Sequence, residues 1–392
     1  MKQFLLITTL GLGIGGLASS QTDSGITREG AYWVRTIQGS IDTSSSDRLR
    51  VETTGNVTLR GVETQQASYT ITLRVKAGEA RGAAALLDQI SVKTGSEGGW
   101  TYLKVGPPWG GRLSASLAVT ASKSLRQLKV LTAGGNVQGS DWNGDFEART
   151  GGGEISIDRI GGRSHIETGG GNIQVGTVSG PLRGASGGGV IRVDNAGAGV
   201  ALETAGGEIF VHQTAGPVQV ATGGGNIRID SSAGSVVAQT AGGLIQVQQA
   251  DGPVTAETSG GAIQISSANG VRCESAGGEI RLRNVAGPVH AFANSGNILA
   301  ELGTGRALAD SILSTNAGDI TVIIPSNVAL QVQATNESGG SGRIHSDFPE
   351  IHIRTNGFEG AGPVMAAGAL NGGGPLLRIN VEGGTIYLRR TK

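Results

Sequence analysis

A period of about 18 residues dominates the sequence between Thr132 and about Leu302. Each repeat begins with Thr or Ser, continues through glycines and reaches Ile or Val five positions later, as in Thr150-Gly-Gly-Gly-Glu-Ile155. One residue is missing before Ser275, and the pattern fades through Ser295-Gly-Asn-Ile298. A fixed period of this length is typical of proteins built from stacked repeats. The period therefore constrains the fold more strongly than local propensity does.

Apolar residues recur two positions apart within each repeat, at positions 5 and 7 and again at positions 14 and 16 when the threonine is position 0. This alternation predicts two short strands per repeat, separated by glycine turns that we expect to use positive φ angles. Two strands cannot bury their inner faces alone, whereas repeats stacked in parallel form a continuous core. The sequence thus predicts an all-β parallel β-solenoid, with coils of about 18 residues carrying two strands each.

A second period lies over the first. Prolines occupy position 13 of every second repeat, and aspartates occupy position 8 of the repeats between them, as with Pro181, Asp194, Pro217 and Asp230. A larger, four-stranded coil made of two repeats, about 36 residues long, is therefore an alternative to the coil made of one.

The repeat that lacks one residue tests the predicted register. If Val271 takes position 14, then Cys273 replaces the small inward residue at position 16, and Ser275 closes the repeat. A free cysteine behaves as a small hydrophobic residue when it is buried. Because Cys273 is the only cysteine of the chain, no internal disulfide is possible.

Composition argues against several classes of partner. The 31 basic and 31 acidic residues balance, and only 16% of residues are charged, so electrostatic capture of nucleic acid or of an anionic bilayer is not expected. Aromatic residues are only 4% of the chain, which also argues against a surface for base stacking.

Residues 1–20 have the pattern of a cleaved signal peptide: Lys2, an apolar stretch from Phe4 to Leu17, and the small residues Ala18-Ser19-Ser20. The mature protein is therefore expected in the periplasm or outside the cell. Residues 21–131 contain one helix candidate, from Ala77 to Ile90, between strand-like stretches, and predict an α+β segment that covers the first coil. Residues 132–302 are the solenoid repeats, and residues 303–392 predict a strand-rich C-terminal cap.

The chain resembles the bacterial putative-adhesin family, a domain of unknown function built from β-strand repeats and often found behind a signal peptide. The resemblance spans most of residues 25–390. It rests on the Thr-x-Gly-Gly-x-Ile repeats and on four other stretches: Arg28-Glu-Gly-Ala-Tyr-Trp-Val34, Gly318-Asp319-Ile-Thr-Val with Pro325, Ile344-His-Ser-Asp-Phe-Pro349, and Asn371-Gly-Gly-Gly-Pro375. It implies a β-solenoid exported to the cell envelope and supplies no catalytic residues.

Several residue sets are candidate sites, and each has a simpler structural interpretation. The threonines of position 0 are expected to point inward, unlike an ice-binding row. The aspartates Asp158, Asp194 and Asp230 recur too far apart to share a calcium ion and are expected to cap strand ends. Two sequence-near pairs of polar groups, Glu154 with Asp158 and Glu208 with His212, lack the supporting residues of a glycosidase.

A metal site is also not favoured. His345, Asp347, Glu350 and His352 lie together in the sequence, but the first three surround the Ser-Asp-Phe-Pro turn of the family. The sequence therefore predicts no catalytic residue, no metal site and no cofactor.

Two rows of polar residues are expected to face outward. Position 17 carries charged and amide residues such as Arg149, Glu167, Glu203, Gln239, Glu257 and Glu274. Position 6 supplies the candidate binding face, which consists of Arg192, Phe210, Arg228, Gln246, Gln264 and Arg281. A regular array of this kind suits hydrogen bonding to a cell-surface polysaccharide or to an envelope protein.

The sequence therefore favours a non-enzymatic, adhesin-like envelope protein that binds a polymer or a protein partner. A structural spacer or self-assembling envelope element is the alternative, and a polysaccharide-active enzyme comes third. Nucleic acid is not an expected partner, and no stretch after the signal peptide is long and apolar enough to span a membrane.

Overall fold

The computed structural model describes residues 21–106, 113–303, 308–338, 343–355 and 362–391, and the predicted signal peptide lies outside the described residues. Strands make up 64% of the structure, and its described part contains one helix. The predicted all-β class is therefore confirmed. The chain divides into two compact units, residues 1–187 (unit 1) and residues 188–392 (unit 2).

Unit 1 consists of fifteen described strands and the helix α1, Ala80–Leu87. The strands are Gln21–Glu29 (β1), Tyr32–Ile41 (β2), Arg48–Thr53 (β3), Asn56–Val62 (β4), Ala67–Val75 (β5), Ser91–Glu97 (β6), Trp100–Gly106 (β7), Leu113–Ser122 (β8), Gln127–Thr132 (β9), Val137–Trp142 (β10), Asp145–Thr150 (β11), Ile155–Ile160 (β12), Ser164–Thr168 (β13), Ile173–Val178 (β14) and Leu182–Ser186 (β15).

In the repeats of unit 1, each strand pairs in parallel with the equivalent strand of the next repeat along the chain. Ile155 of β12 lies beside Ile173 of β14, and Thr150 of β11 lies beside Thr168 of β13. The pairing offset is thus one repeat and not two.

The strands before the repeats join the same ladders out of chain order. β3 pairs with β9 and β4 with β10, so that Thr53 lies beside Thr132. β7 and β8 lie on the other side of β3 and β4. β5, β2 and β1 then extend antiparallel from β8, and β6 extends antiparallel from β7. Helix α1 falls inside the predicted stretch 77–90 and buries Ala83 and Leu87.

Unit 2 contains twenty described strands. They are Ile191–Ala196 (β16), Val200–Thr204 (β17), Ile209–Thr214 (β18), Val218–Thr222 (β19), Ile227–Ser232 (β20), Val236–Thr240 (β21), Ile245–Ala250 (β22), Val254–Thr258 (β23), Ile263–Ile265 (β24), Ala268–Ser275 (β25), Ile280–Ala293 (β26), Ile298–Leu302 (β27), Ser311–Ala317 (β28), Ile320–Ile324 (β29), Leu330–Asn336 (β30), Ile344–Ser346 (β31), His352–Thr355 (β32), Val364–Leu370 (β33), Leu376–Gly383 (β34) and Ile386–Arg390 (β35).

Two parallel ladders run through unit 2. One follows the order β16, β18, β20, β22, β24, β26, β27, β29, β35 and β31. The other follows β17, β19, β21, β23, β25, β26, β28, β34 and β30, and ends in the antiparallel strands β33 and β32. The long strand β26 contributes its first half to one ladder and its second half to the other.

The core of each unit is a column of inward side chains. Ile155 and Ile157 in unit 1 and Ile209 and Val211 in unit 2 are at most 1% exposed, whereas the residues between them reach the surface. β-Branched side chains suit these positions because they pack well on a pleated surface. The alternation read from the sequence therefore assigns the inner and outer faces correctly.

The missing residue is accommodated as predicted. Val271 pairs with Val254, and Cys273 pairs with Ala256, so the cysteine occupies an inward position. The omission lies at Gly270, where the register shifts and φ is +92°. Cys273 is fully buried, and burial raises the pKa of its thiol.

The repeat glycines have a different role from the one predicted. Gly153, at position 3, does not have the positive φ expected of it. A Cβ atom at Gly153 would instead overlap the carbonyl oxygen of Gly135 in the neighbouring repeat, whereas a Cβ at Gly152 would meet nothing within 4 Å. Close approach of stacked backbones, and not left-handed geometry, explains the glycine at position 3.

Candidate functional site

The six residues of the candidate binding face form one continuous file in unit 2. Each pairs with the next across adjacent parallel strands, in the order Arg192, Phe210, Arg228, Gln246, Gln264 and Arg281. Adjacent strands are about 4.8 Å apart, so successive side chains of this row are spaced by about that distance. We call this file the outer row.

Phe210 and its two neighbours form a stack within the outer row. The guanidinium carbon of Arg192 lies 4.6 Å from the centre of the Phe210 ring, and that of Arg228 lies 5.8 Å from it. A guanidinium over an aromatic face is attracted by the ring quadrupole. The ring thus orients two cations whose side chains are exposed.

The charges of the two arginines are balanced differently. Arg228 Nε donates to Asp230 Oδ1 at 2.9 Å, and His212 Nδ1 lies 3.0 Å from the other oxygen of Asp230. Arg192 takes part in none of the ion pairs found among the described residues. Arg192 is therefore the cation of this stack that is most available to an external anion or hydrogen-bond acceptor.

The remaining members of the outer row are less available. Arg281 is held by Glu279, with both carboxylate oxygens 3.0 Å from its NH2 group. Gln246 and Gln264 are half-buried. The structure therefore separates the six candidates into a cationic stack at one end, two amides in the middle and a neutralised arginine at the other end.

The outer row continues beyond the residues that the sequence pattern identified. Arg281 pairs with Leu299, which pairs with Thr321, and Thr321 pairs with Tyr387. Tyr387 pairs with His345, and their rings stack with centres 5.3 Å apart. Sequence reasoning missed these members because the repeat fades through Ser295-Gly-Asn-Ile298, just before the first of them, although Tyr387 occupies the same outward site in its strand.

The candidate metal cluster resolves into other contacts. His345 stacks on Tyr387, and Asp347 accepts a hydrogen bond from Arg389 at 3.0 Å. The backbone N–H of Arg390, together with the Arg389 charge, lowers the pKa of Asp347. In the described part of the chain, no group of His, Cys, Asp or Glu side chains is arranged to hold a metal ion.

The threonines of position 0 are buried, as expected, and brace the corners of the stack. Thr240 Oγ1 donates to the carbonyl of Gly225 at 2.9 Å and accepts the N–H of Gly243 at 3.2 Å. Thr150 in unit 1 makes the equivalent bonds to Gly135 and Gly153. The row thus satisfies buried backbone groups of two neighbouring repeats and presents no threonine surface.

The aspartates of position 8 differ from their predicted role. Asp158 and Asp230 lie within strands β12 and β20 and do not follow them. Asp158 pairs with Arg159 and accepts the N–H of Thr177 at 3.0 Å. Glu208 bonds to Asn226 while His212 bonds to Asp230, so the Glu208–His212 pair does not act together.

No helix in the described residues is long and apolar enough to cross a membrane. The helix α1 has only eight residues.

The sequence matches no protein-family model and no curated protein sequence. Among solved structures, it is similar to a putative cell adhesion protein from Clostridium sporogenes, with 8% identity, a TM-score of 0.17, and coverage of 91% of this chain and 100% of the other. A putative adhesin from Bacteroides fragilis shares 14% identity over 61% of this chain and 96% of its own, with a TM-score of 0.32.

A third solved structure, a putative lipid binding protein from Parabacteroides distasonis, shares 14% identity over 91% of this chain and 97% of its own, with a TM-score of 0.21. The adhesin descriptions agree with the family resemblance identified in the sequence. Because the similarities are this low, we base the function on the chain's own residues.

Proposed function

We propose that this protein is a non-enzymatic, adhesin-like protein, exported to the periplasm or secreted, that binds an extracellular polymer or an envelope protein through the outer row. The observation that carries the proposal is the stack of Arg192, Phe210 and Arg228. Two exposed guanidinium groups are held over one ring, and one of them has no acidic partner among the described residues. Such a site is preorganised to bind carboxylate, sulfate or carbonyl oxygen atoms.

The organisation we propose around this face follows from the repeat. Coils of about 18 residues with two strands each form a β-solenoid over residues 132–302, behind a cleaved signal peptide at 1–20. Residues 21–131 form the entry segment, and residues 303–392 form the C-terminal cap. The parallel pairing of each strand with its equivalent one repeat further along supports this coil.

A binding comparison tests the proposal. The purified chain is applied to a glycan array and to peptidoglycan, beside a variant that combines Arg192→Ala, Phe210→Ala and Arg228→Ala. We expect the wild type to bind at least one of these polymers and the variant to lose most of that binding, because both guanidinium groups and the ring that orients them are removed.

A matched control removes the same types of group elsewhere. The control variant lacks one ring and two guanidinium groups at exposed sites of β2, β5 and β32, through the changes Tyr32→Ala, Arg74→Ala and Arg354→Ala. This control should bind like the wild type. Equal binding by all three proteins would reject the outer row as the binding face. Absence of binding, with fibres seen by scattering, would replace the proposal with a self-assembling structural role.

A further inference from the structure

A groove on the other ladder of unit 2 has different chemistry from the outer row. Its volume is about 500 Å³. Four side chains from successive strands line it, each paired with the next: Gln239, Glu257, Glu274 and Phe292. It is also lined by the small residues Ala241, Ser259 and Ala276 and by Asn294.

Phe292 presents an exposed aromatic ring to the groove. Its side chain is 42% exposed, and no aromatic or cationic group stacks on it among the described residues. Phe210 is the opposite case, because arginines contact it from two neighbouring strands. An exposed aromatic face binds the C–H face of a sugar ring, since that face is apolar while the hydroxyl groups around it are polar.

The polar lining includes two carboxylates, which accept hydrogen bonds. Gln239 Nε2 donates to one oxygen of Glu257 at 2.8 Å, and Arg272 donates to one oxygen of Glu274 at 2.5 Å. Within the described residues, the second oxygen of each carboxylate has no protein hydrogen-bond partner. These oxygens are placed to accept hydrogen bonds from hydroxyl or ammonium groups.

Charge and spacing narrow the class of ligand. No Lys or Arg is found among the described residues that line the groove, whereas two carboxylates are. Arg272 pairs with Glu274 from outside the lining, so Glu257 is the carboxylate of the groove that has no cationic partner among the described residues. Its charge repels an acidic glycan and does not repel neutral or amino sugars. The groove presents one side chain every ~4.8 Å along the ladder, which is comparable to the length of one pyranose ring.

We propose that this groove binds a chain of neutral or amino sugars, with one ring stacked on Phe292 and hydroxyl or amino groups bonded to Glu257 and Glu274. The site lies on a different ladder from the outer row, so it adds a second binding surface to the adhesin-like function. It does not depend on the outer row being correct.

Titration calorimetry on the purified full chain tests the proposal with three probes of equal length: oligomers of N-acetylglucosamine, of glucosamine and of galacturonic acid. We expect the first two to bind and the acidic oligomer not to bind. Phe292→Ala should weaken binding of both by about tenfold, because ring stacking is lost. The double variant Glu257→Gln, Glu274→Gln should bind the glucosamine oligomer at least about tenfold more weakly, because charge-assisted hydrogen bonds to its amino groups are lost.

Glu203→Gln is the matched control, because Glu203 is exposed on the same ladder but does not line the groove. It should leave every affinity unchanged. Failure of both the neutral and the amino oligomers to bind the wild type, equal binding of the acidic oligomer, or unchanged binding by Phe292→Ala would overturn the proposal. The triple variant of the outer row should bind these oligomers normally, so the two proposals fail independently.

Discussion

The two units carry the same inner column but different outer surfaces. In unit 1, the outer side chains of β9, β11 and β13 neutralise one another: Lys129 with Glu147 at 2.8 Å, and Arg149 with Glu147 at 3.2 Å and with Glu167 at 3.4 Å. His165 Nε2 also lies within hydrogen-bond distance of Glu167 Oε1, at 2.7 Å. We call this set the ion-paired strip. In unit 2, the outer row leaves Arg192 without an ion pair among the described residues, and the groove leaves carboxylate oxygens unbonded.

The difference shows how a repeat separates stability from recognition. The inward residues are determined by packing against the next repeat, so they vary little between Ile155 and Ile209. The outward residues carry no such constraint, so one stretch satisfies its own charges and another presents them. We therefore expect changes in the core to affect both units alike, and changes at the surface to have effects specific to each unit.

The largest expected effect is the burial of a charge in the shared core. Ile155→Asp in unit 1 and Ile209→Asp in unit 2 should each lower the free energy of unfolding by at least about 3 kcal/mol, because the carboxylate has no partner there. Urea denaturation measures the loss. Gln264→Asp, at a half-buried site of the outer row, should change it by less than about 1 kcal/mol. Equal losses at Ile209 and Gln264 would show that the faces are assigned wrongly.

A second effect concerns the backbone approach that both units share. Gly153→Ala and Gly225→Ala place a Cβ against the carbonyl oxygen of the neighbouring repeat and should cost about 1–3 kcal/mol. Gly152→Ala and Gly224→Ala meet nothing within 4 Å and are the matched controls. Thermal unfolding should separate the two pairs. If the controls destabilise the protein equally, chain flexibility and not close approach explains these glycines.

These glycines also mark how far the sequence could be interpreted. The period was enough to predict parallel strands, the buried faces and the inward place of Cys273, because each depends on contacts with a repeat one period away. It did not reveal that β3 and β4 stack on β9 and β10, because β5 to β8 are inserted between them in the chain. The reason why position 3 requires glycine was missed for a similar reason. It is the close approach of the neighbouring repeat's backbone, which local propensity does not report.

The surface was predicted in part. The outer row was located because it alternates with the core, but its pairings depend on side-chain directions that a pattern does not specify. Only the structure shows which partner each side chain has. Arg281 pairs with Glu279, Phe210 lies between two arginines, and Arg192 has no ion pair among the described residues. Likewise, the groove depends on Phe292, which occupies an outward site after the period has begun to fade.

A smaller expected effect is the pH-dependent stability that Glu147 contributes in the ion-paired strip. Burial alone would raise the pKa of Glu147, but the Lys129 hydrogen bond and the charges of Lys129 and Arg149 outweigh it, so its folded pKa lies below 4.5. This carboxylate therefore stabilises the fold above pH 4.5, and the stabilisation is lost as pH falls through the folded pKa. Glu147→Gln should cost about 1 kcal/mol at pH 7 and almost nothing at the lowest pH that retains the fold.

The control for the strip is Glu203→Gln in unit 2, at an exposed site without an ion pair among the described residues. Unfolding measured at pH 7 should separate the two variants, and the difference should shrink in high salt because salt screens the partly exposed charges of the strip. If Glu203→Gln costs as much as Glu147→Gln, the contrast between a neutralised and an open surface does not hold.

The smallest expected effect lies within the stack itself. Arg192 is exposed, so its contact with Phe210 should add only about 0.5–1 kcal/mol. A double-mutant cycle with Arg192→Ala and Phe210→Leu isolates this coupling, because Leu keeps apolar bulk but removes the ring quadrupole. Arg283→Ala, at an exposed site of β26, replaces Arg192→Ala in a control cycle that should give no coupling. If the Arg192–Phe210 coupling is also zero, the guanidinium is not held over the ring in solution, and the outer row is no better organised for binding than any other exposed arginine.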